Sequence, residues 1–267
     1  QVSVLVAAMQ TRVRYNSTKT WNQRPMGQSV LRRILRSTAS IFKYGVLVPK
    51  NDGEAEKSPE AVRWKAGRDV EWIRLQLIDT FDGSYTWARI QQEYPEYKKS
   101  DVGHAFYIYD YKHSGEHRVR LVFDGSQQSE ATYDTTFAPT VRSDSVRLFH
   151  LLCVEYGHDI RQYDIPQAFL TSEVDCTIFL YPPKWNSEFP GQILLLKRML
   201  YGAKQAAFLF YDRLQDFFTK LGFTCSDLDQ CFFKRVEPDG STTLMIVHVD
   251  DFRLGGTKKV LDALYIK

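Results

Sequence analysis

The sequence predicts an α+β protein in which helices pack on an antiparallel sheet. Two stretches repeat apolar residues at helical spacing: Ala66-Val70-Ile73-Leu77 and Ala206-Phe210-Leu214-Phe217-Leu221. Around them lie short runs of β-branched and aromatic residues bounded by turn residues. The order of these signals is hairpin, helix, strand, hairpin, helix, strand-turn-strand, which suits a helix-backed antiparallel sheet. The 267 residues, 43% hydrophobic and 25% charged, are enough for one large domain or two smaller ones. No apolar run approaches the roughly 18–20 residues that a spanning helix needs.

Residues 1–57 read as a basic extension. The first 51 contain nine basic residues (Arg12, Arg14, Lys19, Arg24, Arg32, Arg33, Arg36, Lys43, Lys50) and no Asp or Glu. The other 216 carry 26 basic and 32 acidic side chains. Interleaved with Tyr15, Trp21, Phe42 and Tyr44, this arm is either a solvated linker or a contact for a polyanion such as nucleic acid. SVLRRILRS (29–37) allows a short amphipathic helix. The opening VSVLVAA lacks the basic flank of a signal peptide, and Gln1 suggests a chain that begins inside a longer polyprotein.

NDGEAEKSPE (51–60) reads as a turn-rich break that also starts a helix, with Ser58 as N-cap, Pro59 next and Glu60 in the first turn. That helix is predicted to reach about Asp79 and to end in the turn Phe81-Asp82-Gly83-Ser84. HAFYIYDY (104–111), Ser114-Gly115 and HRVRLVF (117–123) predict a hairpin. Arg118 and Arg120 share one face of its second strand, either solvated or gripping an anion. A helix over 143–157 is expected, capped by Ser143 or Ser145, with the stripe Val146, Phe149, Cys153 and Tyr156. A strand in DIRQYDIPQAF (159–169) and a loop-rich stretch with TIFLYPP (177–183) and QILLLKR (192–198) come next. A helix from Lys204 to Leu221, stopped by Gly222, and a strand over 242–249 complete the order. Cys153, Cys176, Cys225 and Cys231 form no C-x-x-C pair and read as free thiols in a reducing compartment.

The last strand runs into VHVDDFRLGG (247–256), which places Asp250 and Asp251 in an expected tight hairpin turn. Two carboxylates a few ångströms apart repel by about 1 kcal/mol in water, and by more at protein-like dielectric. The pair is therefore either a solvated turn or a seat for a hard cation such as Mg²⁺. Asp164, just before the break Ile165-Pro166, is a third candidate. If the two strands are neighbours, the three aspartates suit a phosphoryl transfer held by two metals about 3.5–4 Å apart.

From about Ser58 onward the chain resembles the reverse transcriptase domain of Ty1/copia-type LTR retrotransposons. The resemblance rests on five motifs in order over about 135 residues: HRVRLVFDG (117–125), TFAPTVR (136–142), YDIPQAFL (163–170), LKRMLYGAKQAA (196–207) and VHVDD (247–251). It implies fingers over about 58–141 and 171–205, and a palm over about 142–170 and 206–267 with an antiparallel sheet backed by helices. It implies Asp164 and Asp250 as carboxylates holding two Mg²⁺ ions, with Mn²⁺ as substitute, Asp251 close by, and the Ile165 main-chain carbonyl as a further ligand. Arg118 and Arg120 would hold the triphosphate of the incoming nucleotide. Phe169 would lie beneath its sugar and exclude a 2′-hydroxyl, unless it is plain core. Tyr201, Gln205 and Lys204 would touch nucleotide and template, and His248 the primer terminus.

The implied activity is RNA-directed DNA synthesis on an RNA or DNA template-primer from dNTPs, inside a Pol polyprotein with integrase upstream and RNase H downstream. No membrane partner is implied, and the implied location is cytoplasmic, in the element's virus-like particle, or nuclear. Three features depart from the pattern. His248 stands where tyrosine is usual, and Asp124 where a basic residue is usual. The chain also stops about sixteen residues past the aspartate pair, so a thumb is expected to be absent or truncated. Two other functions stay open on residue types: a relic that binds nucleic acid without catalysis, and a metal-dependent nuclease.

Overall fold

The computed structural model describes residues 41–184 and 191–265. The stretch 29–37 and most of the basic arm lie outside them. From Ile41 the chain forms a hairpin of β1 (Ile41–Lys43) and β2 (Val46–Val48), turning through Tyr44 and Gly45 at positive φ. Helices α1 (Asp52–Lys57) and α2 (Ala61–Leu77) follow, then β3 (Phe81–Tyr85), α3 (Trp87–Glu93), β4 (Gly103–Tyr111) and β5 (His117–Phe123). Next come α4 (Ser143–Glu155), β6 (Asp159–Asp164), β7 (Phe179–Tyr181), β8 (Ile193–Leu196) and α5 (Ala206–Lys220). Strands β9 (Thr224–Cys225), β10 (Phe232–Val236), β11 (Thr242–His248) and β12 (Asp251–Gly256) precede α6 (Lys258–Tyr265).

These elements fall into two compact units. One gathers the described residues of 135–172 and 207–265. Its five strands lie in the order β6-β12-β11-β10-β9, antiparallel throughout. Side chains alternate across a strand, so each apolar run serves two faces. Met245, Val247, Phe252 and Leu254 enter a core with Phe210, Leu214, Phe217 and Phe218 of α5 and Leu261 of α6. On the other face Leu244 and Ile246 meet Phe149 and Cys153 of α4. The helix comes so close that a Cβ on Gly255 would collide with the Cys153 sulfur.

The other unit gathers the described residues of 41–134 and 173–206. Its sheet, β3-β8-β7-β4-β5, is mixed, because β4 and β7 run parallel. The core holds Tyr85, Ile90, Val102, Phe179 and Ile193. Phe179 makes edge contacts with Tyr85, Tyr94 and Tyr97.

The structure departs from the sequence expectation at several elements. The stretch 51–60 is not a break: α1 occupies it, because Asn51 caps the helix by accepting the Glu54 N–H. Ser58 closes α1 instead of opening α2, and its hydroxyl accepts the Glu60 N–H. In α2 the expected stripe Ala66, Val70, Ile73 and Leu77 faces outward, with Leu77 81% exposed. Trp64, Trp72 and Leu75 are buried instead. Two indoles bring more apolar area than the aliphatic stripe, so they decide which way the helix faces. Arg68 and Glu71 are buried with them, Arg68 on Glu56 and Tyr109 and Glu71 under the Leu121 N–H.

The segment Phe81–Tyr85, expected as a turn, is strand β3 paired to β8. Neither Ser143 nor Ser145 is the N-cap of α4. Arg142 holds that position, and its N–H donates to Asp229 at 2.9 Å. Tyr156, expected on the buried stripe of that helix, is exposed.

Candidate functional site

In the unit built on the antiparallel sheet, β11 and β12 are joined by Val249 and Asp250 alone. The two aspartates therefore differ: Asp250 lies in the turn, and Asp251 is the first residue of β12. Register places His248 opposite Asp251, and Asp251 opposite Asp164 on β6. Residues opposite one another in an antiparallel ladder share a face, with Cβ atoms about 4.5–5.5 Å apart. His248, Asp251 and Asp164 thus form one row across three strands. The ladder extends one step further, as the Ile165 N–H donates to the Asp250 carbonyl at 2.9 Å. The aspartates, distant in sequence, are brought together by β12 pairing with β6.

Val249 takes φ +57°. A β-branched residue in the left-handed region is strained by about 1–3 kcal/mol, which persists only where the surroundings enforce it. After Asp164 the chain bends through Pro166 and Gln167, the latter at φ +55°, into a 3-10 turn at Ala168–Thr171. The Ile165 side chain is core. Phe169 is half-buried and meets Phe210 edge to face, so part of its ring serves packing.

Burial pushes the Asp251 carboxyl above the usual range, and the Asp164 charge pushes it further. A hydrogen bond from Gln162 and the charges of His248 and Arg253 oppose the shift. A carboxylate whose proton affinity is raised by a neighbouring acid also favours a divalent cation in the proton's place. The donor set is all hard oxygen, which fits Mg²⁺ or Mn²⁺. Among the described residues, no three His, Cys, Asp or Glu side chains are gathered tightly enough to hold an ion by themselves. A ligand set here would also need main-chain or substrate oxygens.

In the other unit, Arg118 and Arg120 share the half-exposed face of β5, while Val119 and Leu121 are buried behind them. Arg118 stands opposite Asp110 in register. The Arg120 guanidinium lies 4.9 Å from the centre of the Tyr201 ring. Tyr201 is fixed from below: its carbonyl accepts the Phe123 N–H at 2.8 Å. Gly125 and Gly202 let the two segments touch, since a Cβ on either would collide with a carbonyl oxygen of the facing one. Asp124 caps the 3-10 turn that carries Gly125, accepting the Ser126 N–H and hydroxyl. That gives its departure from a basic residue a local reason.

Lys204 donates through Nζ to the Tyr133 hydroxyl and the Gln128 carbonyl. Gln205, expected to touch the nucleotide, is only 1% exposed. Its Oε1 accepts from Gln128 at 2.6 Å and its Nε2 donates to the Thr132 carbonyl, so it holds the loop. The residues missed from sequence are Gln128, Tyr133, Gln162, His150 and Arg253. Period-two alternation marks Arg253 from Asp251 and Gln162 from Asp164; for the others no local signal exists.

A family model described as "Reverse transcriptase (RNA-dependent DNA polymerase)" matches residues 93–264. Three retrovirus-related Pol polyproteins are each 28% identical to the chain. They come from transposons RE1 and RE2 of Arabidopsis thaliana and TNT 1-94 of Nicotiana tabacum, and the matches cover 85%, 74% and 55% of this chain. The same matches cover only 16%, 14% and 11% of those polyproteins. No solved structure matches the chain significantly.

Proposed function

Because the chain belongs to the reverse transcriptase (RNA-dependent DNA polymerase) family, we propose that it copies an RNA or DNA template from dNTPs as the polymerase domain of a copia-like Pol polyprotein. The observation that carries the reading is the row His248–Asp251–Asp164, with Asp250 in the turn beside it. In this reading the antiparallel sheet with α4 and α5 is the palm, about 142–170 and 206–267. The mixed-sheet unit is the fingers, about 58–141 and 171–205. Integrase and RNase H would be its neighbours in the polyprotein, and the cytoplasm or nucleus its place of work.

Asp164 and Asp250 would hold the ions, with Asp251 adding charge beside them and the Ile165 carbonyl as a further protein ligand. Mg²⁺ bound there, or Mn²⁺ in its place, would supply a lowered pKa for the primer 3′-OH and charge stabilisation for the leaving pyrophosphate. Arg118 and Arg120 grip the triphosphate, with Arg120 oriented by Tyr201. Phe169 lies under the sugar, and Lys204 and His248 face template and primer. Gln205 is a positioning residue in this scheme, because its amide is already satisfied inside the protein.

Asp250→Asn is isosteric at a partly exposed turn, so the fold should survive. Primer extension on an RNA template with Mg²⁺ should fall to background while the thermal unfolding curve stays in place. Extension retained near wild-type rate would remove Asp250 from the chemistry and this reading with it.

A further inference from the structure

Directly behind the acidic row, the same sheet face carries a second row, Ile246–Arg253–Gln162. Arg253 follows Asp251 by two residues on β12, about 7 Å along the strand. Arg253 is half-buried, on the sheet face that Phe149 and Cys153 of α4 pack against. One guanidinium nitrogen lies 3.0 Å from His150 Nε2, and His150 Nδ1 lies 2.7 Å from the Val146 carbonyl of the same helix. Arginine has only donors, so His150 Nε2 must accept and Nδ1 must carry the proton that Val146 receives. The chain carbonyl–imidazole–guanidinium fixes both side chains in one geometry.

We propose that Arg253, tethered to α4 through His150, is a positioning residue that sets how tightly the acidic row holds its divalent ions. The proposal rests on the metal-binding reading above. A guanidinium has the reach to cap Asp251 from the neighbouring row and compete with an ion. Its bond to His150 draws it towards α4, so its charge acts on the row through space. Burial works against the Arg253 charge while Asp251 supports it, in keeping with a cation held near the acids. Gln162, from the same row, hydrogen-bonds Asp251. Removing the cation should tighten metal binding. Removing the tether should weaken it, because the freed guanidinium can swing onto Asp251.

The test is Mn²⁺ affinity of the full 267-residue chain without nucleic acid, read from the paramagnetic resonance signal of the free ion. Arg253→Leu should bind Mn²⁺ about tenfold more tightly than wild type. His150→Leu should bind several-fold more weakly, and Arg253→Lys should stay near wild type. Arg253→Gln keeps a donor for His150 without the charge and replaces the leucine variant if that one fails to fold. Affinity within about twofold of wild type for both Arg253→Leu and His150→Leu would overturn the inference, since a purely structural pair moves the melting temperature alone. Asp250→Asn and Asp251→Asn separate the two failures. Loss of Mn²⁺ binding there, with indifference to Arg253, sinks only the tethered-cation idea. Indifference to all four positions sinks the metal reading and this inference together.

Discussion

Glu71 is a carboxylate on the sheet side of α2, where its Oε1 accepts the Leu121 N–H at 3.3 Å and Arg74 stands 3.9 Å away. Burial pushes its pKa above the usual carboxylate range, and the hydrogen bond and nearby arginines only partly oppose that. Between the unfolded value and the raised folded value the native state holds the extra proton, so stability falls as pH rises through that window. Glu71→Gln keeps the acceptor and removes the charge. It should unfold at higher urea than wild type at pH 7, with the gain fading to nothing below about pH 4. Destabilisation at pH 7 that fades below about pH 4 would show instead that the hydrogen bond and arginines outweigh burial. Some residue-scale features were legible beforehand, such as the acidic character of Asp164, Asp250 and Asp251. The αL strain at Val249 and the satisfied interior of Gln205 were not, because neither a dihedral nor a hydrogen-bond partner is a property of residue type.

The junction between the end of β5 and the Tyr201–Lys204 loop is backbone against backbone. Gly202 sits at φ +94°, and a Cβ there would meet the Phe123 carbonyl oxygen, which cannot move without breaking its own strand. Gly202→Ala should therefore cost about 2 kcal/mol or more, from strain and collision together. Urea unfolding checks this, and an unchanged midpoint would mean the loop is not locked to the strand. Elements with one dominant pattern were readable: the β4–β5 hairpin from its Ser-Gly turn, and α5 from its apolar stripe and Gly222 at φ +85°. α2 was readable as a helix but not in its orientation. Its two candidate faces, aliphatic and indole-bearing, both repeat at helical spacing, and only the sheet beneath selects one.

Across the whole chain, charge is divided unevenly, and the basic excess lies towards the N-terminus. Seven of the nine basic residues of that arm precede Ile41. Every phosphate that the arm neutralises on a single strand adds about 0.7 to the steepness of log K against log salt. Deleting residues 1–40 should therefore flatten that slope by up to about 5. Filter binding to a short RNA at several salt concentrations measures it, and an unchanged slope would show that the arm touches no phosphate. The ordered motifs also carry family membership at this scale, since type and spacing survive in the chain whatever its packing.

By itself the sequence determined the α+β class, the main hairpins and helices, and the carboxylates that carry the proposed chemistry. Those follow from periodicity, turn residues and motif order, which are local. Only the tertiary structure decided that Asp251 is the register partner of Asp164, that Arg253 is tethered to His150, and that the stripe on α2 faces outward. Each of those depends on which strand or helix lies alongside, a choice made by packing between residues far apart in the chain.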